Sequence, residues 1–116
     1  MEKNELIIMA EYLISKVKLF FEDKVDEFQV SDVYSIPGHE SFNVYFTAYN
    51  FYSIRVSYDI GILGCCIING NNAAMEIESS QKRWETVNYD VFLQEMQEEL
   101  ELRIPDKFLK KKGWLK

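Results

Sequence analysis

A chain of 116 residues with 47% hydrophobic and 15% aromatic side chains can fill one core, so it reads as a single α+β domain over residues 1–116 and not as a disordered segment. Its formal net charge of -6 excludes a general nucleic-acid binder, because holding phosphates takes a basic surface. No apolar run nears the ~20 residues that span a bilayer, and no leader pattern opens the chain, so a cytoplasmic protein without a membrane partner is expected.

The chain opens with a helical pattern. Leu6, Met9, Ala10, Leu13, Val17 and Phe20 recur at helical spacing, Ile7, Ile14 and Phe21 widen that stripe, and Glu11, Ser15, Lys18 and Glu22 lie opposite. Asn4 is the expected N-cap and the exit is expected near Lys24. The wide apolar stripe predicts a helix lying flat on a sheet. Phe28 and Val30 predict a first strand over Glu27–Val33, although Asp32 shares their parity. Ile36-Pro37-Gly38-His39-Glu40 reads as a turn. His39, the only histidine, reads as a solvated loop residue and not a general base.

Residues 42–77 carry most of the strand signal. Phe42, Val44, Phe46 and Ala48 alternate with Asn43, Tyr45, Thr47 and Tyr49, and Ile54, Val56, Tyr58 and Ile60 alternate with Ser53, Arg55, Ser57 and Asp59. Asn50 falls in the connection between the two runs. From Ile62 to Ile68 the alternation gives way to residues apolar on both faces, as expected of a central strand. Asn69-Gly70-Asn71-Asn72 predicts a tight turn, followed by a strand with Ala73, Met75 and Ile77 inward and Glu76 and Glu78 outward. The expected architecture is an N-terminal helix, an antiparallel meander of about five strands, a C-terminal helix and a short final helix, with the helices on one face of the sheet.

Trp84, in the polar stretch 81–86, is expected to pack at the edge of the core. Asn88 is a second N-cap candidate, and Tyr89, Phe92, Leu93, Met96 and Leu100 form the dry stripe of the second helix. Pro105 ends that helix and starts a third, which Gly113 closes and whose Lys110-Lys111-Lys112 run suits the negative end of its dipole.

The chemistry-bearing residues are sparse. Cys65 and Cys66 are adjacent on a strand, where a mutual disulfide would be strained, and read as buried thiols of a reducing compartment. Glu76 and Glu78 lack convergent partners for a metal, and Gly61-Ile62-Leu63-Gly64 lies in strand signal where no phosphate loop belongs. No cofactor and no catalytic residue is expected. Two surfaces stand out instead. Glu95, Glu98, Glu99 and Glu101 crowd one helix at spacings where like charges cost a few tenths of a kcal/mol per pair, which marks either a face kept for a basic partner or a solvated helix face. Tyr45, Tyr49, Arg55 and Asp59 make an aromatic and polar sheet face of the kind enriched at binding hot spots, unless a helix covers it. Charge is uneven as well: six acids accompany Lys24 between Glu22 and Glu40, and six bases accompany Asp106 between Arg103 and Lys116.

Arg103-Ile104-Pro105-Asp106-Lys107-Phe108-Leu109, followed by Gly113-Trp114, resembles the ending of small bacterial immunity proteins that neutralise polymorphic toxins. The resemblance covers the last dozen residues closely, and the size, acidity and helix-meander-helix order more loosely. It implies a non-enzymatic cytosolic protein that binds and blocks a cognate toxin domain, and it transfers no binding residues. A basic nuclease domain would suit the acidity of this chain. The rival readings are a small-molecule-binding or regulatory α+β module using the sheet face and, behind it, an enzyme.

Overall fold

The computed structural model describes residues 2–50, 52–68 and 81–114, together with the backbone of 74–76. Helix α1 (Lys3–Phe21) leads through a short 3-10 turn (Glu22–Lys24) into strands β1 (Val25–Tyr34), β2 (Ser41–Ala48), β3 (Tyr52–Asp59), β4 (Ile62–Ile68) and β5 (Ala74–Glu76). A two-residue strand β6 (Lys82–Arg83), helix α2 (Tyr89–Leu102) and helix α3 (Asp106–Lys111) follow. The sheet is antiparallel in the order β1-β2-β3-β4-β5, with β6 pairing the start of β4. This is the expected α+β architecture. The turn expected at 69–72 and the side chains expected to alternate from Ala73 to Glu78 lie outside the described residues, but the backbone register sets Met75 opposite Ile67 and Glu76 opposite Cys66.

One face of the sheet is the core. Phe42, Val44, Phe46 and Ala48 of β2, Ile54, Val56 and Tyr58 of β3, and Leu63, Cys65 and Ile67 of β4 are buried with Leu6, Ala10, Leu13, Val17 and Phe21 of α1 and Phe92, Leu93, Met96 and Leu100 of α2. Burying such side chains stabilises a fold by roughly 1.5–3 kcal/mol each. Trp84 packs edge-on to Phe42 and Tyr58 and meets Tyr12 and Tyr89, closing the core on the β6 side.

The ends of the helices differ in part from expectation. Helix α1 starts before Asn4, with Glu2 as its N-cap, so Asn4 lies in the first turn. Asn88 caps α2 as expected, its side-chain oxygen accepting from the Val91 N–H at 3.2 Å. Helix α3 ends in a Schellman motif: Gly113 at φ 77° lets its own N–H reach the Lys110 carbonyl (3.0 Å) and the Trp114 N–H reach that of Leu109 (2.9 Å). Trp114 is thereby folded back against Tyr49 and Phe108, and its indole N–H donates to Asp23 at 3.3 Å.

Strand β1 contains two bulges that resolve the parity conflict at Asp32. Between Asp26 and Gln29, and again between Ser31 and Tyr34, β1 advances three residues while β2 advances two. Glu27 (φ 58°) and Asp32 (φ 55°) are the left-handed residues of these bulges. Each takes up the surplus position, so Phe28 and Val30 can pack on the core without drawing Asp32 in with them.

Two positions depart from the simple alternation because the chain turns there. Ile60, expected inward, occupies with Gly61 a two-residue turn in which both have positive φ (46° and 86°), and it is 55% exposed. Tyr49, expected on the outer face, has φ 58° at the β2–β3 connection and is fully buried against Phe21 and Trp114. Strand β4, expected at the centre, has strands on both sides, but β3 is the middle strand of the path. Ile62 lies at the turn end of β4, partly exposed.

Candidate functional site

Since the described helices pack on the core face, no helix among the described residues lies on the opposite face of the sheet, although Cys66 on that face is buried at 4% exposure. Its composition follows from strand parity. Asn43, Tyr45 and Thr47 of β2, Ser53, Arg55, Ser57 and Asp59 of β3, and Ile62, Gly64 and the buried Cys66 of β4 alternate with the core-facing set. The register aligns them in rows across the sheet. One row runs Gln29, Tyr45, Arg55, Cys66; the next runs Ser31, Asn43, Ser57, Gly64; and beyond it Ser41, Asp59 and Ile62 are paired.

The middle row contains the smallest pair on this face, Ser57 opposite Gly64. A Cβ at Gly64 would meet no atom within 4 Å among the described residues, so its absence leaves open space. The result is a depression of about 330 Å³ whose lining includes Arg55, Ser57, Asp59, Gly64, Cys66 and Gln81. Arg55 stands at one end beside the Tyr45 hydroxyl and the Cys66 sulfur, and Asp59 stands at the other. The Arg55 Nε is buried and has no hydrogen-bond partner among the described residues. Of the sequence-derived set on this sheet, the structure therefore gathers Tyr45, Arg55 and Asp59 on the open face and removes Tyr49 from it.

The rim of the face on β1 is acidic, and the bulges place it there. Thr47 donates to Glu27 Oε2 at 3.2 Å, while the Asn43 amide donates to Asp32 Oδ2 at 2.9 Å. Both donors belong to the open face, so both carboxylates are held along its edge with Asp26, which pairs with Thr47 in register. All three acids are exposed.

The acidic stripe on α2 is more self-contained than expected. Glu95 pairs with Lys82 (3.3 Å), Glu99 pairs with Arg103 (2.9 Å), Glu101 accepts from the Tyr49 hydroxyl (2.6 Å), and Glu98 accepts from the Gln94 amide (3.4 Å). The cost of like charges along this helix thus has local compensation, which the one-dimensional spacing did not reveal. Glu98 and Glu101 do border a shallow groove with Leu102, Asp106 and Leu109, where Leu102 is 80% exposed.

Ionisation follows burial. The Tyr49 hydroxyl is pushed up by desolvation and then by the Glu101 carboxylate, and burial raises the Tyr89 hydroxyl to about 12. Burial likewise raises the Cys65 thiol, which faces the core, so the thiolate needed for nucleophilic or metal chemistry is disfavoured there. His39 is exposed in the β1–β2 connection. Among the described residues, no three His, Cys, Asp or Glu converge as a metal would require. No helix among them is long and apolar enough to cross a membrane.

The residues missed from sequence are Ser57, Gly64 and Gln81, which shape the depression, and Asp32, read only as a parity problem. A signal for the first pair existed. A two-residue turn at Ile60-Gly61 sets Asp59 against Ile62 and hence Ser57 against Gly64, the pairing observed. No protein-family model, curated protein or solved structure matches the chain.

Proposed function

We propose that the protein is an immunity protein that neutralises a cognate toxin domain by occlusion, with the uncovered sheet face and its β1 rim as the docking surface. The supporting observation is the geometry of that rim: two bulges hold Glu27 and Asp32 beside Asp26 along the edge of a face that no described helix covers. A basic protein domain is the complementary occupant, as expected of a nuclease whose own surface must attract phosphates. Tyr45 adds an aromatic contact within the face, and the net charge of -6 adds long-range attraction. On this reading the carboxylates of α2, largely engaged within the molecule, have the lesser role.

The test is binding kinetics against the basic toxin domain encoded beside this gene, at low and high salt. For the parent chain, association should slow steeply with salt while dissociation changes less. Neutralising the rim (Asp26→Asn, Glu27→Gln, Asp32→Asn) should slow association about tenfold at low salt and flatten its salt dependence. Reversing α2 (Glu95→Lys, Glu98→Lys, Glu99→Lys) should slow it less. Equal rates for all three proteins would eliminate the electrostatic mechanism, a larger effect from α2 would move the docking surface there, and absence of any complex would eliminate the immunity reading.

A further inference from the structure

The depression between Arg55 and Asp59 is not needed for an acidic rim to meet a basic partner, and its chemistry differs from that of the rim. At one end is a guanidinium, permanently charged, with a buried Nε lacking a hydrogen-bond partner among the described residues. Its close polar neighbours among the described residues are the Tyr45 hydroxyl and the Cys66 sulfur. A buried donor left unsatisfied is destabilising, so an acceptor that reaches it is favoured. At the other end is the exposed carboxylate of Asp59. The two residues lie four apart along one strand face, with Cα atoms separated by about 13 Å. Between them the floor is Ser57 and Gly64, with Gln81 in the lining.

We infer that this depression binds a small zwitterion with well-separated charges, an ω-amino carboxylate, its carboxylate on Arg55 and its ammonium toward Asp59. The carboxylate takes the charge-assisted donors of the guanidinium, and the ammonium meets Asp59, the one acidic side chain that lines the depression among the described residues. The alkyl segment crosses Gly64, where the absent side chain leaves room. A single anion satisfies Arg55 and leaves Asp59 unmatched; a simple amine does the reverse. The inference concerns the protein alone and stands or falls separately from the immunity reading.

Heteronuclear NMR titration of the full chain tests it, with 6-aminohexanoate as the probe and succinate and hexylamine as the controls lacking one of its two charges. Saturable shifts of the backbone amides of residues 55–59 and 62–66 are expected with 6-aminohexanoate, with weaker effects from succinate and weaker still from hexylamine. Arg55→Gln should lower the affinity about tenfold or more, the effect of losing a hydrogen bond to a charged group. Gly64→Val gives an independent check, because a β-branched side chain suits a strand and its Cβ meets no atom within 4 Å here, so it should fill the depression while the fold is retained. Binding should vanish in the Gly64→Val protein at unchanged or higher melting temperature. Absence of saturable shifts, equal responses to hexylamine and 6-aminohexanoate, undiminished affinity in the Arg55→Gln protein, or binding that survives in the Gly64→Val protein would overturn the assignment.

Discussion

The hydroxyl of Tyr49 donates to Oε2 of Glu101 across 2.6 Å, joining the β2–β3 connection to the end of α2 over 52 positions of sequence. Nearby, Tyr52 donates its hydroxyl to the Arg103 carbonyl at 3.0 Å, so two tyrosines anchor the end of this helix to the sheet.

Removing the first of these donors has a definite expected cost. Tyr49→Phe retains the ring against Phe21 and Trp114 but leaves the Glu101 carboxylate without its phenol, and should destabilise the fold by about 2 kcal/mol in urea denaturation. Glu101→Gln, which keeps an acceptor, should cost less. A pH dependence accompanies the contact. The folded-state pKa of Tyr49 is raised, so the unfolded chain loses this proton first; stability is fully present below the ordinary tyrosine value of about 10 and falls as pH rises above it. Tyr89 adds to the same decline up to about 12, so the decline should be shallower, not absent, in the Tyr49→Phe protein.

The β1 bulges impose backbone strain that a suitable substitution releases. Glu27 has φ 58°, a region that costs an ordinary residue about 1 kcal/mol and glycine almost nothing. Glu27→Gly should therefore be more stable than Glu27→Ala by about 1 kcal/mol, although both lose the same carboxylate. Thermal unfolding of the pair isolates the backbone contribution, and equal melting temperatures would contradict the bulge geometry.

The β3–β4 turn offers a direct gain. A β-branched residue at φ 46° is poorly suited to a turn that favours Asn-Gly, and Ile60 surrenders little burial if replaced. Ile60→Asn should raise stability by about 1 kcal/mol, read as a higher denaturant midpoint with an unchanged slope.

Ile67 measures how firmly the core face of β4 is closed. It is 4% exposed and pairs with Ile54, so Ile67→Asp would bury an unpaired charge and should abolish soluble expression. Soluble protein with native-like circular dichroism would contradict this packing.

Cys65 should be chemically silent in the native protein. Its thiol is buried and its pKa raised, so alkylation by iodoacetamide at neutral pH should be negligible until denaturant is added, as followed by intact mass.

Periodicity revealed the element order because each strand and helix buries one face, and parity alone separated Phe42, Val44 and Phe46 from Asn43, Tyr45 and Thr47. It failed where backbone dihedrals interrupt the count. Tyr49 and Ile60 both have positive φ, and nothing in the identity of either residue announces it, since tyrosine and isoleucine are poor occupants of that region. Asp32 was visible as an inconsistency but not as a bulge, because a bulge depends on the partner strand. The acids of α2 were legible as a crowded stripe, yet their compensation by Lys82, Arg103 and Tyr49 comes partly from elements far away in sequence.

The bulged edge also restricts how another chain can attach. A strand added alongside β1 would need an unbroken ladder of hydrogen bonds, and within ten residues it would meet two interruptions and the carboxylates of Asp26, Glu27 and Asp32. Sheet extension, whether by a second copy in a fibril or by a peptide seeking backbone pairing, is disfavoured at this edge. Recognition is thereby left to side chains projecting from the face, which read the identity of a visitor where backbone pairing would accept almost any sequence.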